Sequence, residues 1–351
     1  MNVGIVGIGN CAASLVQGVA YYRARPGEST GLSRRSCAGL DIADIRFTAA
    51  FDVNTAKIGR DLADAIEVAP NNALRLADLE PTGVRVREGA LADGIGTSLS
   101  GRFDTRGDAT ADAIAAHLVE TGTEVVVNFV PVGSQRAAET YAAAALAAGC
   151  AFVNCMPAVI ARSPQWADRF AAAGVPLIGD DLTSQFGSTL VHHALVGALR
   201  ANGVHLDSTY QLNSGGNMDF LNMRDPDRLA TKQETKTRGF GGSEHTASHV
   251  GMDYVPFLQD RKIAFIRVAG VGFAGTPVEV DLRMSVEDSP SGAGNVCDAV
   301  RYAKALMAAG QPDAAAVSAL LMKAPPRAFA PGEAQEALDA LLDDSAAEVA
   351  A

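Results

Sequence analysis

Residues 1–12 read MNVGIVGIGNCA, and this stretch decides the fold. An apolar run, Val3 to Val6, leads directly into Gly7-Ile8-Gly9-Asn10-Cys11-Ala12, a G-x-G-x-x-G/A pattern with alanine in its third slot. Gly7 permits the tight turn off a strand, Gly9 lets backbone approach a pyrophosphate, and Ala12 is small enough for the next helix to pack on the sheet. Ala13 to Tyr22 supplies that helix, weakened by Gly18, and its N-terminus offers free N–H groups and a positive dipole end to phosphates. Gly7, Gly9, Asn10, Cys11 and Ala12 are therefore expected to hold a dinucleotide. The alternative is a tight strand-to-helix turn with no ligand.

Working outward, Arg23 to Ala43 carries Pro26 and several glycines, serines and arginines, and reads as an inserted loop or lid. The next strand, Ile45 to Val53, brings Asp52 to its end, where a carboxylate binds ribose hydroxyls and favours NAD over NADP. Asp52 stands 43 residues after Gly9, about twice the usual offset, so the insertion must loop out; an ordinary strand-end aspartate is the competing reading. A helix is predicted over Lys57 to Ile66, a break at Pro70-Asn71-Asn72, and a short strand over Val84 to Arg87. A loop over 93–107, helices at 112–121, 134–148 and 164–173, and strands at 124–130, 150–154 and 175–178 follow. Val130, Pro131 and Ser134 stand at the carboxyl end of the 124–130 strand, where ligands of open α/β sheets bind. This β-α-β-α rhythm predicts a doubly wound parallel sheet.

Near residue 205 the pattern changes. Residues 208–213, 263–268 and 278–286 alternate as antiparallel strands. Between them lie a basic segment, 224–238, and a Gly/His/Ser loop, 239–251. Helices return at 293–309 and 314–321, and the acid- and alanine-rich end, 333–351, is expected to fray. The fold class is thus α/β: a Rossmann-like doubly wound parallel sheet over residues 1–200, completed by C-terminal helices over 293–351, with an inserted α+β catalytic and oligomerisation domain over 201–292.

Composition narrows the function. The 351 residues are 48% hydrophobic and 20% charged, a globular composition. No apolar stretch reaches membrane-spanning length, and the strand beginning at residue 2 leaves no room for a signal peptide, so a cytoplasmic protein is expected. A net charge of −11 argues against nucleic-acid binding. Five cysteines, an odd number with no C-x-x-C pair, read as reduced thiols. Adjacent His192 and His193 point apart on a helix; His245 and His249 share a face only in a helix. No metal ligand set is expected.

Three segments carry candidate chemistry. In Lys232-Gln233-Glu234-Thr235-Lys236 two lysines share a helix face, where repulsion is expected to lower both pKa values. Gln259-Asp260-Arg261-Lys262 opens a strand, and Met322-Lys323 sits between an apolar helix and a proline stop. Taken singly, each lysine reads first as a solvated surface charge.

The chain resembles the myo-inositol-1-phosphate synthases of actinobacterial type from end to end. GIVGIGNCAASLVQGVAYY (4–22), AAFDVNTAKIGRDLADAI (49–66), DGIG (93–96) and VPVGS (130–134) carry the likeness, with GVPLIGDDLTSQFGST (174–189), QLNSGGNMDFLNM (211–223), DRK (260–262), EDSPSGAG (287–294) and LLMKAPP (320–326). The resemblance implies cyclisation of glucose 6-phosphate with NAD: oxidation at C5, loss of a C6 proton, aldol attack on the C1 aldehyde, and re-reduction. It implies that Lys232 shuttles the C5 hydroxyl proton and that Lys236, Lys262 and Lys323 stabilise the enolate and polarise the aldehyde. Asp180 and Asp181 would form an acidic pair near the nicotinamide, Asp181 beside the reacting carbons. Ser184, Gln185, Asn213 and Asn217 would cradle the sugar phosphate, and the assembly would be a homotetramer joined through sheets of the second domain.

Two departures fall on the substrate side. Thr183 stands where the resembled family carries a lysine, and Thr237-Arg238-Gly239-Phe240-Gly241-Gly242 replaces a Thr-Gln-Ala/Ser-Val type segment. A paralogue closing C6 of a ketose such as fructose 6-phosphate onto its C2 ketone, to give a five-membered cyclitol phosphate, therefore stays open. A simple NAD-dependent dehydrogenase and a non-catalytic NAD-binding protein are the remaining alternatives.

Overall fold

A computed structural model describes residues 1–33, 36–37, 39–237, 246–330 and 332–340. Six strands form one parallel sheet: β1 (Asn2–Val6), β4 (Arg46–Asp52), β5 (Val86–Glu88), β6 (Val125–Asn128), β7 (Ala151–Asn154) and β8 (Leu177–Ile178). Their order, β5-β4-β1-β6-β7-β8, is the Rossmann arrangement with the switch point beside β1. The apolar runs of β1 and β6 explain their central place: Val3, Ile5, Val6, Val125, Val126 and Val127 are all 1% exposed or less, as strands covered on both faces require. Register pairs Val6 with both Phe51 and Asn128, so the loops after β1, β4 and β6 emerge at one edge.

Helices α1 (Asn10–Arg23), α2 (Leu62–Ala65), α3 (Ala111–Glu120), α4 (Gln135–Ala147) and α5 (Pro164–Ala172) belong to this half. The insertion after α1 holds a two-residue hairpin, β2 (Ser36–Cys37) and β3 (Leu40–Asp41), with Cys37 in the core. Only Leu62–Ala65 of the helix expected over 57–66 forms. Lys57 is buried with its amine on the Ile8 carbonyl (2.6 Å), and Gly59 takes φ +85°, so the preceding residues turn to deliver that amine.

The second sheet has order β10-β9-β11-β12, from β9 (His205–Gly215), β10 (Ala247–Tyr254), β11 (Arg261–Val271) and β12 (Pro277–Glu287). Helices α6 (Ser188–Ala201), α7 (Met218–Asn222) and α8 (Pro226–Thr237) precede β10. Alternation in β9 and β11 sends Leu206, Ala264, Ile266 and Val268 inward against Val196 of α6, and leaves Tyr210, Leu212 and Phe265 on an open face. The basic segment is a helix, in line with the helix face expected to carry Lys232 and Lys236, and it begins with Pro226 at its first position. One expectation is corrected: residues 247–254 are a strand rather than a loop. That strand pairs parallel with β9, so the pairing edge decides what its Gly, His and Ser residues adopt. Finally α9 (Asp288–Ala308) and α10 (Ala315–Leu321) pack Val296, Ala299, Val300, Ala303 and Val317 into the core that holds Leu15 and Val19 of α1. The helix α9 crosses the domain boundary expected at residue 293, carrying its first turn into the cavity described next.

Candidate active site

One cavity lies where the carboxyl edge of the parallel sheet meets β11, the starts of α6, α7 and α9, and Lys232 of α8. Its centre is Asp181. The segment 180–183 pairs antiparallel with 321–324: Asp180 and Ala324 exchange N–H···O bonds at 3.0 Å, and Lys323 N–H donates to the Asp181 carbonyl at 2.7 Å. Asp181 takes φ +62°, in the left-handed region that few non-glycine residues occupy and that clusters at functional sites. Its Oδ1 accepts Lys232 Nζ at 2.8 Å and Lys323 Nζ at 3.0 Å. Lys323 also donates to the Leu182 carbonyl at 2.6 Å. Across the cavity, Lys262 of β11 pairs with Asp288 at the start of α9.

These three lysines are nine-tenths buried, and their surroundings split them. Burial works against the charge of Lys232, but Asp181, Asp219 and Asp288 outweigh it and hold the amine well above the ordinary lysine range. This corrects the expected depression by Lys236: the nearby charges that dominate are carboxylates. Lys323 is drawn down to about 8, first by burial and then by repulsion from Lys232 and Lys262, against the pull of Asp181. Lys236 belongs to α8, but its side chain lies outside the described residues, as do Arg238 to Gly242 and His245. Helix α8 is fixed by Arg228, which donates to the carbonyls of Val132 and Asp93 (2.6 Å for the latter), and by Asp225, which accepts from Ser98.

Of the expected cofactor residues, Gly9, Asn10, Cys11 and Pro131 line the cavity. Gly7 takes φ +82°, and a Cβ there would stand 2.8 Å from the Phe129 carbonyl oxygen. The space above Gly9 is open, Ala12 is fully buried, and α1 starts with no side-chain cap, leaving its first N–H groups to a ligand. Loop and helix therefore fit a dinucleotide pyrophosphate. Asp52 reaches the same loop: its Oδ2 accepts Ile8 N–H at 2.7 Å and its Oδ1 accepts Asn54 N–H at 2.8 Å. Cys11 is exposed to the cavity, and burial of its sulfur by the surrounding fold, then the charges of Asp260, Asp288 and Asp219, push its thiol up to about 12, which works against the thiolate form. Replacing Gly7 with alanine is expected to lower unfolding free energy by about 2 kcal/mol and to weaken dinucleotide binding, read by urea unfolding and calorimetric titration; an unchanged variant overturns the tight-turn argument.

Three residues expected at the cofactor are not among those lining the cavity. Val130 is in the hydrophobic core, and Ser134 is buried with its hydroxyl 3.4 Å from the Gly94 carbonyl. The Asp180 carboxylate accepts from Asn154, from the backbone of Ile160, Ala161 and Arg162, and from the Arg162 side chain, so it shapes the 158–162 turn. On the substrate side, Ser184 and Asn217 line the cavity. Gln185 turns toward α9, its amide against Gly294, and Asn213 lies beneath the cavity, where its Oδ1 accepts from Ser188 Oγ at 3.0 Å.

The sequence reading missed the start of α6. Gly187, Ser188, Thr189 and Leu190 line the cavity at the N-terminus of a 14-residue helix whose N-cap makes no side-chain bond, a ready anion site. It also missed Asp288 and Asp219. Burial raises the pKa of Asp219 against the pull of Lys232, and its Oδ1 is buried without a hydrogen-bond partner. The signal lay in the GDDLTSQFGST, NMDF and EDSPSG segments, but nothing in them says which side chain turns inward.

Fold and site together define a class: an α/β enzyme of Rossmann-like fold with a cavity lined by lysines held on carboxylates. The chain belongs to the inositol-3-phosphate synthase family. Residues 187–289 match the family model for myo-inositol-1-phosphate synthase. The inositol-3-phosphate synthase of Corynebacterium glutamicum is 42% identical, with 97% of this chain and 98% of that protein covered. That of Mycolicibacterium smegmatis is also 42% identical, with 98% of each covered. The crystal structure of Ari2 superposes with a TM-score of 0.83 at 34% identity, covering 98% of this chain and 99% of that one.

Proposed function

We propose that the chain cyclises glucose 6-phosphate to myo-inositol phosphate with NAD as a recycling cofactor. The observation that carries this reading is the two-lysine grip on Asp181 facing the Lys262–Asp288 pair, between the glycine loop and the uncapped start of α6. Gly7 to Ala12 would hold the NAD pyrophosphate and Asp52 the ribose side of the loop; bound there, NAD supplies the acceptor for the first oxidation and the donor for the final reduction. The backbone N–H groups at Ser188 to Leu190 bind the substrate phosphate. Lys323, poised near 8, takes protons, and Lys232, held protonated, donates to the oxygen at C5. Lys262 faces the oxygens on which enolate charge develops.

No helix among the described residues is long and apolar enough to cross a membrane, and the described cysteines are free thiols, which suits a cytoplasmic enzyme. Tyr210, Leu212 and Phe265 on the open face of the second sheet suit burial against further copies in a homotetramer.

The test is phosphorus and carbon NMR of the protein with NAD, given labelled glucose 6-phosphate or fructose 6-phosphate in separate tubes. Myo-inositol phosphate from the glucose tube alone is expected. Thr183, which lines the cavity where the resembled family has a lysine, gives the ketose reading its footing. A five-membered cyclitol phosphate from the fructose tube alone would install that reading instead, and net accumulation of reduced cofactor would mark a plain dehydrogenase.

A further inference from the structure

We propose that Asp260 is a positioning residue that ties the dinucleotide loop to the Lys262–Asp288 pair, so that seating the cofactor and orienting Lys262 are one event. The inference rests on the cofactor reading above. Asp260 is 1% exposed, and three donors from three separate segments converge on its Oδ1: Asn10 Nδ2 at 2.8 Å, Asn217 Nδ2 at 3.0 Å and Ser289 Oγ at 2.9 Å. Its Oδ2 accepts Ser289 N–H at 3.1 Å, and its own carbonyl accepts Asp288 N–H at 3.0 Å. Asn10 is the residue after Gly9, at the first position of α1; Asn217 caps α7; Ser289 follows the carboxylate that holds Lys262.

The geometry makes the coupling two-ended. Asp260 is the turn residue immediately before β11 and Lys262 is the second residue of that strand, so one short stretch of chain carries both groups. Asp288, the partner of Lys262, is bonded through its N–H to Asp260. The cofactor end is equally tied. Asn10 exchanges two bonds with Asn72 (2.7 and 2.9 Å), and Asn72 Nδ2 donates to the Gly216 carbonyl at 3.1 Å. A shift of the glycine loop therefore pulls on one oxygen that also carries α7 and α9. Three donors on one oxygen suit an anion; an amide in its place accepts more weakly and turns an NH2 toward donors. Among the described contacts this carboxylate has no lysine or arginine within salt-bridge distance, and burial together with Asp288 pushes its pKa up to about 6, so its donors are what keep it ionised at neutral pH.

The experiment compares wild type, Asp260→Asn and Ser289→Ala by calorimetric titration with NAD and by hydrogen exchange of peptides covering 259–263 and 287–292, with and without saturating NAD. In the wild type NAD is expected to slow exchange in both peptides. In Asp260→Asn the NAD dissociation constant is expected to rise about tenfold, and the protection at 287–292 to vanish even at saturation. Ser289→Ala, which removes one donor and spares the carboxylate, is expected to move both readouts the same way by less, and it carries the test if Asp260→Asn does not fold. A general loss of stability would not uncouple the two peptides at saturating NAD. Wild-type affinity and wild-type protection in both variants overturn this inference alone; failure of the wild type to bind NAD overturns the functional reading with it.

Discussion

Asp181→Asn is expected to lower turnover by about three orders of magnitude while leaving the chain folded. Asparagine keeps the shape and tolerates the left-handed backbone at this position, and the backbone bonds to Met156 and Lys323 survive. What goes is the charge that two lysines share. Asp181 raises the pKa of both Lys232 and Lys323, so its loss lets both fall. Lys232 then no longer keeps its proton as firmly for the oxygen it serves, and Lys323 loses the bond that aims it. The check is product formation by phosphorus NMR beside a thermal unfolding curve. A rate within tenfold of wild type on a folded variant would remove this cluster from the chemistry. Asp181→Ala is a poorer probe, because it adds strain at φ +62° to the loss of charge.

The same aspartate shows where sequence reading stops. Period and punctuation made most elements legible: an uninterrupted apolar run before Gly7 marks a central strand, and Met322-Lys323 between an apolar helix and prolines marks a lysine held at a chain turn. Which of two adjacent aspartates faces the cavity was not legible. One left-handed residue sends Asp181 to the lysines and Asp180 into a backbone cage, and the sequence carries that conformation only as a possibility. Lys57 makes a similar point. It reads as an ordinary first-turn lysine, yet its amine is buried on the Ile8 carbonyl, a contact set by the fold of a loop 49 residues away in the chain. Parallel pairing of 247–254 with β9 likewise depends on an edge the segment itself does not encode.

Lys323 is where catalysis and stability are expected to pull apart. With its pKa near 8, the amine is largely protonated at pH 7 and largely neutral at pH 9, so a rate limited by proton removal should rise through about pH 8 and level off above it. Arginine at this position keeps the charge and never gives up the proton. Lys323→Arg should therefore cost about a thousandfold in turnover and abolish that limb. A variant retaining both rate and limb would move the base elsewhere. The linkage runs the other way for folding. In the unfolded chain the amine returns to about 10.4, so between 8 and 10.4 the unfolded state binds more protons and stability rises with pH. Below 8 the penalty of a buried ammonium beside two others is present in full. Lys323→Met removes it, at the loss of bonds to Asp181 and Leu182, and should be more stable than wild type at pH 7 by roughly 1–3 kcal/mol, with the difference shrinking toward pH 10.5 in urea unfolding. An inactive variant that is less stable at pH 7 would mean that Asp181 pairs Lys323 fully. The amine would then be an ordinary lysine held charged, and the proton acceptor of this site would have to be sought among its carboxylates, with the unpartnered Asp219 first.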